Sequence, residues 1–155
     1  MAFSVTVRSN KIGQLQGDIR DKAEGAVRDT ANEMRDYARI IAPVLTGAFR
    51  SSLYINGPNG ESDYGTAAAE AAAANPKAVI VPEQQAAQVD INVHQLRDTE
   101  GRFSLPQAIV ASAVEYSLFL EEGTVHMAPR PTLRPAALVA EAFFRNAMTK
   151  ITDGY

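Results

Sequence analysis

The chain has no cysteine. Disulfides and thiolate metal sites are therefore excluded, and the redox compartment leaves no mark on the sequence. No apolar run approaches the roughly 20 residues that cross a bilayer. No secretory leader pattern opens the sequence, and none is expected. Charge of one sign is also scarce: 15 Lys and Arg against 18 Asp and Glu give a net charge of -3. A mildly acidic chain is a poor candidate for wrapping nucleic acid through phosphate contacts. What is present is apolar content and length. With 155 residues, 46% of them hydrophobic, one domain over residues 1–155 with its own core is expected, and global disorder is not.

Periodicity divides the chain. Met1 to Arg8 alternates, with Phe3, Val5 and Val7 on one side, and reads as a half-buried strand. From about Leu15 to Ala42 the spacing changes to three and four: Ile19, Ala23, Ala26, Val27, Thr30, Met34, Tyr37, Ala38 and Ile41. That predicts a long amphipathic helix, ended by Pro43. Phe49 to Asn56 reads as a strand, followed by turn residues Gly57 to Gly60. Residues 62–77 form an alanine-rich insertion containing AAAEAAAAN, with Thr66 as a candidate cap and both Thr66 and Glu70 as candidate contacts to another chain. A free helix of about ten residues is marginal in water. This piece is expected either to order against a neighbouring subunit or to remain a loop. Ala78 to Val81, Ala87 to Leu96 and Leu105 to Ala113 read as strands, the last two joined by a hairpin with Gly101 at its tip. A final helix is expected from about Pro135 to Ile151. Runs of strands between helices predict an α+β fold: an antiparallel β-sheet with the long N-terminal helix and the C-terminal helix packed on one face.

One stretch organises the rest, Val114 to Ala136, reading VEYSLFLEEGTVHMAPRPTLRPA. A short apolar helix is closed by Gly123, the residue type that most easily takes the left-handed conformation. Pro129, Pro131 and Pro135 then stiffen an extended arm over Ala128 to Thr132. Met127, Pro129, Arg130, Pro131 and Arg134 are candidate contacts to another chain, the arginines being suited to pair with carboxylates on a neighbour.

Catalytic chemistry has thin support. His94 lies on a strand face about 13 Å from Asp90 by strand geometry, which makes no metal site. His126 lies near Glu121 and Glu122, and such a pair suits acid–base chemistry in a hydrolase. No nucleophile oriented by a base accompanies it, nor any further metal ligand at recognisable spacing. No dinucleotide, Walker or zinc-protease motif occurs.

Three motifs in order resemble a known family. Ala42-Pro43-Val44-Leu45-Thr46-Gly47 is followed by Phe49-Arg50-Ser51-Ser52. Later come Glu115-Tyr116 through Glu121-Glu122-Gly123-Thr124, and then Ala128-Pro129-Arg130-Pro131 with Leu133-Arg134-Pro135-Ala136. This order resembles the tailed-bacteriophage head–tail joining family, also called tail completion or neck proteins, whose members read A-P-x-x-T-G-x-L-R-x-S, Y-A-x-x-x-E-x-G-T and A-R-P-F-L-x-P-A. Departures are Phe49 for leucine, Ser117 for alanine, Pro129 before the arginine and Thr132 for an aromatic. The resemblance implies a small α+β structural protein, without enzymatic activity or cofactor, that forms a homohexameric ring at the head–tail interface of a virion assembled in the host bacterial cytoplasm. Its partners would be copies of itself, the adaptor or stopper of the neck, and the tail tube or terminator, with genomic DNA passing through the lumen. Pro43, Thr46, Gly47, Arg50, Tyr116, Glu121, Gly123 and Thr124 would be its structural residues. A tail terminator or minor tail protein is the alternative place in the same particle.

Overall fold

A computed structural model describes residues 12–44, 47–85, 87–90 and 106–153. The expected strand over Met1 to Arg8, the hairpin at Gly101 and His94 lie outside the described residues. Helix α1 runs over Ile12–Ile41, α2 over Ala48–Ser51, β1 over Leu53–Asn56 and α3 over Tyr64–Ala74. Strands β2 (Ala87–Asp90) and β3 (Ile109–Ser112) follow, then α4 (Ser117–Glu122) and α5 (Leu133–Thr152). Strand β3 is central in a three-stranded sheet of order β1-β3-β2 and runs antiparallel to both neighbours. Leu53 and Ala87 both face Ser112 across the ladders. The α+β expectation holds, with α1 and α5 on one face of the sheet.

That face is built by helical spacing. Val27, Ala31, Met34 and Ala38 of α1, and Ala42 just past its end, recur every three or four residues and are buried with Leu53, Ile55 and Val110. Leu133, Ala136 and Ala140 of α5 complete the same core. Ala31, Ala38, Ala136 and Ala140 are fully buried. Side chains this small let α1 and α5, which pack along one another, approach closely.

Four expectations need correction. Phe49 to Ser51 is helical rather than strand, with Ser52 as its C-cap: Gly47 takes φ 79°, and Ser51 N–H and Ser52 N–H donate to the carbonyls of Gly47 and Ala48. Phe49 and Leu53 are four apart, which is one helical turn as readily as two strand repeats. The alanine-rich insertion is a helix seated on its own fold. Ala67 and Ala71 are buried, and α3 packs on α2 and β1. It covers the second face of the sheet, where Tyr54, Ala111 and Ala113 lie. Tertiary burial thus supplies what so short a helix lacks in isolation. Thr66 does not cap it, because α3 begins two residues earlier, at Tyr64. The segment read as a strand at Ala78 to Val81 is an extended piece with one bridge, Ile80 to Val114.

Two tyrosines pin that piece. Tyr54 and Tyr64 rings meet edge to face at 5.2 Å. Their hydroxyls donate to the carbonyls of Glu83 (3.3 Å) and Val81 (2.6 Å). Burial first, then Glu83, Tyr64 and Asp63, pushes the Tyr54 hydroxyl up to about 12 from 10.0.

Met34→Ala should destabilise the fold by about 2–5 kcal/mol in urea unfolding, because the cavity it leaves is lined by two helices that cannot collapse together. Tyr54 should give a pH signature. Its folded pKa lies above the unfolded value, so its contribution is fully present below pH 10.0 and is lost as pH rises towards about 12. Thermal melts across that range should show a falling midpoint for the parent, and a shallower fall for Tyr54→Phe.

Candidate functional site

The stretch after β3 folds into a joint between two helices. Gly123 N–H donates to the Phe119 carbonyl at 2.9 Å and closes α4. Gly123 sits at φ 77°, and a Cβ there would lie 2.8 Å from the Met127 carbonyl oxygen and from Pro129 N. The backbones of Thr124 and Met127 bond to each other at 2.8 and 3.2 Å, so Val125 and His126 form the tip of a tight turn. Arg130 N–H then donates to the Leu120 carbonyl at 2.7 Å and lays the proline arm back along α4.

Glu121 locks this joint. Its side chain is buried, and Oε1 accepts the backbone N–H groups of Thr132 (2.6 Å) and Leu133 (2.7 Å). Those are orphan donors at the start of α5, where the helix dipole also favours a negative charge. The last turn of α4 therefore caps the first turn of α5. Beside it, on the surface, Glu122 pairs with Arg134.

The motifs quoted above meet in space. The Phe49 and Tyr116 rings lie 6.5 Å apart. Ser52 Oγ and Ser112 Oγ hydrogen-bond at 2.8 Å in the core, and Ala113 N–H donates to the Ser52 carbonyl at 3.0 Å. Gly47 enters α2 in the left-handed conformation, Pro43 is half-buried after α1, and Arg50 is exposed on α2. Thr46 lies outside the described residues.

The candidate contact residues divide. Pro129, Arg130 and Pro131 are exposed on the arm, and Thr66 and Glu70 are exposed on α3. Met127 is half-buried. Arg134 is already paired with Glu122 of its own chain, because the joint brings α4 and α5 together. The side chains that sequence reasoning missed are apolar. Leu118 and Phe119 are about half exposed and Val125 is almost wholly so. The apolar turn before Gly123 is split: Val114 is buried in the core, while Leu118 and Phe119 are about half exposed. Leu138, Val139 and Phe143 on α5 are exposed as well.

The acidic groups of the joint are engaged within the fold. The Glu121 carboxylate serves α5, Glu122 serves Arg134, and His126 stands on an exposed turn. A polar crevice of about 320 Å³ opens between α1 and the turn after β1. There Arg28 pairs with Glu61, and Arg35 with Asp63 at 2.8 Å. Asp63 also accepts the Ile55 N–H at 2.6 Å, so the crevice fastens α1 to the sheet. Among the described residues, no cluster of three or more acidic or histidine side chains is placed to hold a metal ion. No helix among them is long and apolar enough to cross a membrane. Comparisons with protein-family models, with curated proteins and with solved structures returned no match.

Glu121→Ala should cost about 1–3 kcal/mol for each buried N–H it strands. Glu121→Gln, which keeps an acceptor oxygen in place, should lose mainly the charge–dipole part, about 0.3–2 kcal/mol. Urea unfolding of the pair measures the difference; equal losses would mean that the cap is not what holds the joint. Gly123→Val should fare worse than Glu121→Gln, since it meets both a forbidden φ and backbone atoms.

Proposed function

We propose that this chain is a structural ring subunit of a tailed-bacteriophage neck, joining the DNA-filled head to the tail. The observation that carries the reading is the joint. The E-x-G-T and R-P-x-L-x-P-A segments on which the resemblance rests are tied together by Glu121 and Gly123, and the same joint displays Leu118, Phe119 and Val125 to solvent. A rigid element that presents apolar side chains outward is suited to gripping another protein surface. Helix α2, which carries part of the first motif, meets Tyr116 of the second through Phe49, and the Ser52–Ser112 hydrogen bond ties it to β3.

In this reading the subunit performs no reaction and needs no cofactor. It acts by holding copies of itself, the neighbouring neck proteins and the tail in register. Its mild negative charge suits a lumen through which DNA passes without adhering, since like charges repel. The protein belongs, on this reading, to the virion at the head–tail interface, after assembly in the bacterial cytoplasm.

Deleting the gene from the encoding phage tests the proposal. Full heads and finished tails that fail to join are expected, with joining restored by adding the purified protein. Tails of irregular length would instead favour a tail terminator. Normal virions lacking the protein would overturn both placements. His126→Ala should leave joining intact; lost joining in a folded variant would make the turn itself part of the contact.

A further inference from the structure

Residues 136–144 of α5, AALVAEAFF, carry one charge, Glu141. Ala136 and Ala140 are fully buried against α1, yet Leu138 is 71% exposed, and Val139, Ala142 and Phe143 are exposed beside it. A helix that is apolar all round is ordinarily buried all round. The outer face of α5 is thus uncovered in a single copy.

The uncovered face continues onto α4. Arg134 lies one turn before Leu138 and on the same side of α5. It pairs with Glu122, which lies one turn after Leu118 on α4. Leu118, the Glu122–Arg134 pair, Leu138 and Ala142 therefore form one band across two helices, with Phe119 at its edge. Its central charges cancel within the chain, so an acidic or a basic partner surface would gain little from it. An apolar surface fits it.

The same chain carries a different apolar surface with the complementary rim charge. With Ala67 and Ala71 buried, α3 turns Ala69, Ala72 and Ala73 outward, beside the exposed carboxylate of Glu70. Among the described residues Glu70 has no side-chain partner. Neither has Arg130, exposed on the arm next to the band.

We propose that the band from Leu118 to Ala142 on one copy docks on the outer face of α3 on the next, with Arg130 pairing to Glu70 at the edge. Leucine and phenylalanine are the knobs, and the alanine face is a flat seat that a helix can approach closely. The two surfaces differ, so the contact is heterologous. It repeats from copy to copy and closes into a ring when the rotation per copy permits. The proposal rests on the assembly reading above and names the surfaces that would carry it.

The cysteine-free sequence makes the test clean. Leu138→Cys and Ala72→Cys are placed together in the full chain, and separately as controls, and each protein is oxidised mildly. Both sites are solvent-exposed, and circular dichroism checks that the fold is kept. The double variant should give a ladder of covalent multimers, and each single variant monomer alone. Arg130→Glu should weaken self-association severalfold in light scattering, and adding Glu70→Arg should restore it. Oligomers without a ladder would overturn this interface and leave the neck reading standing. Dimers from a single variant would replace the heterologous contact with a symmetric one. A chain that stays monomeric at every concentration would overturn self-docking, while the gene-deletion result would still decide the neck reading.

Discussion

A carboxylate on the last turn of one helix accepts the first N–H groups of another, and the C-terminal third of the molecule takes its shape from that contact. Glu121 lies 11 residues before Thr132 in sequence. The intervening chain must therefore leave α4, turn and come back within hydrogen-bonding reach. Gly123 makes the departure possible, the Thr124–Met127 turn reverses the chain, and Arg130 N–H ties the return to Leu120. Prolines on the arm remove alternatives by fixing φ. Each device is weak alone. Together they fix where α5 begins and hence how it lies along α1.

The rest of the fold sets the height at which that joint stands. The sheet is covered on both faces, by α1 and α5 on one and by α3 on the other. Alternation along β1 and β3 divides the side chains: Leu53, Ile55 and Val110 go one way, Tyr54 and Ala111 the other. The Arg28 and Arg35 pairs fasten the middle of α1 to the turn after β1. Exposed pairs such as Arg28–Glu61 add little stability in water. Their contribution is to register, keeping α1 from rotating about its axis.

Long elements were legible from sequence because period dominates over length. Alpha-helical spacing from Ile19 to Ile41 left no competing reading, and α1 follows it. Short elements were not. Phe49 and Leu53 satisfy helix and strand alike, and the left-handed Gly47 decides in favour of a turn of helix. Alanines in α3 reveal helix propensity but no direction of burial, since every face is the same size. Glu121 was visible as a motif residue. Its capping role was hidden because local cap patterns span about three residues, far short of the separation seen here.

Composition and periodicity on their own determined the class of fold, the two long helices, the stop at Gly123 and the stiffness of the arm, because each depends on residues close in the chain. Tertiary structure alone decided which apolar residues are buried. Val114 turns into the core while Leu118 and Phe119 are left in water, and α3 finds its seat on its own sheet. The physical reason is that burial is set by neighbours distant in sequence. A helix with apolar residues on two faces cannot declare, from its own spacing, which face its fold will cover and which it will leave for another chain.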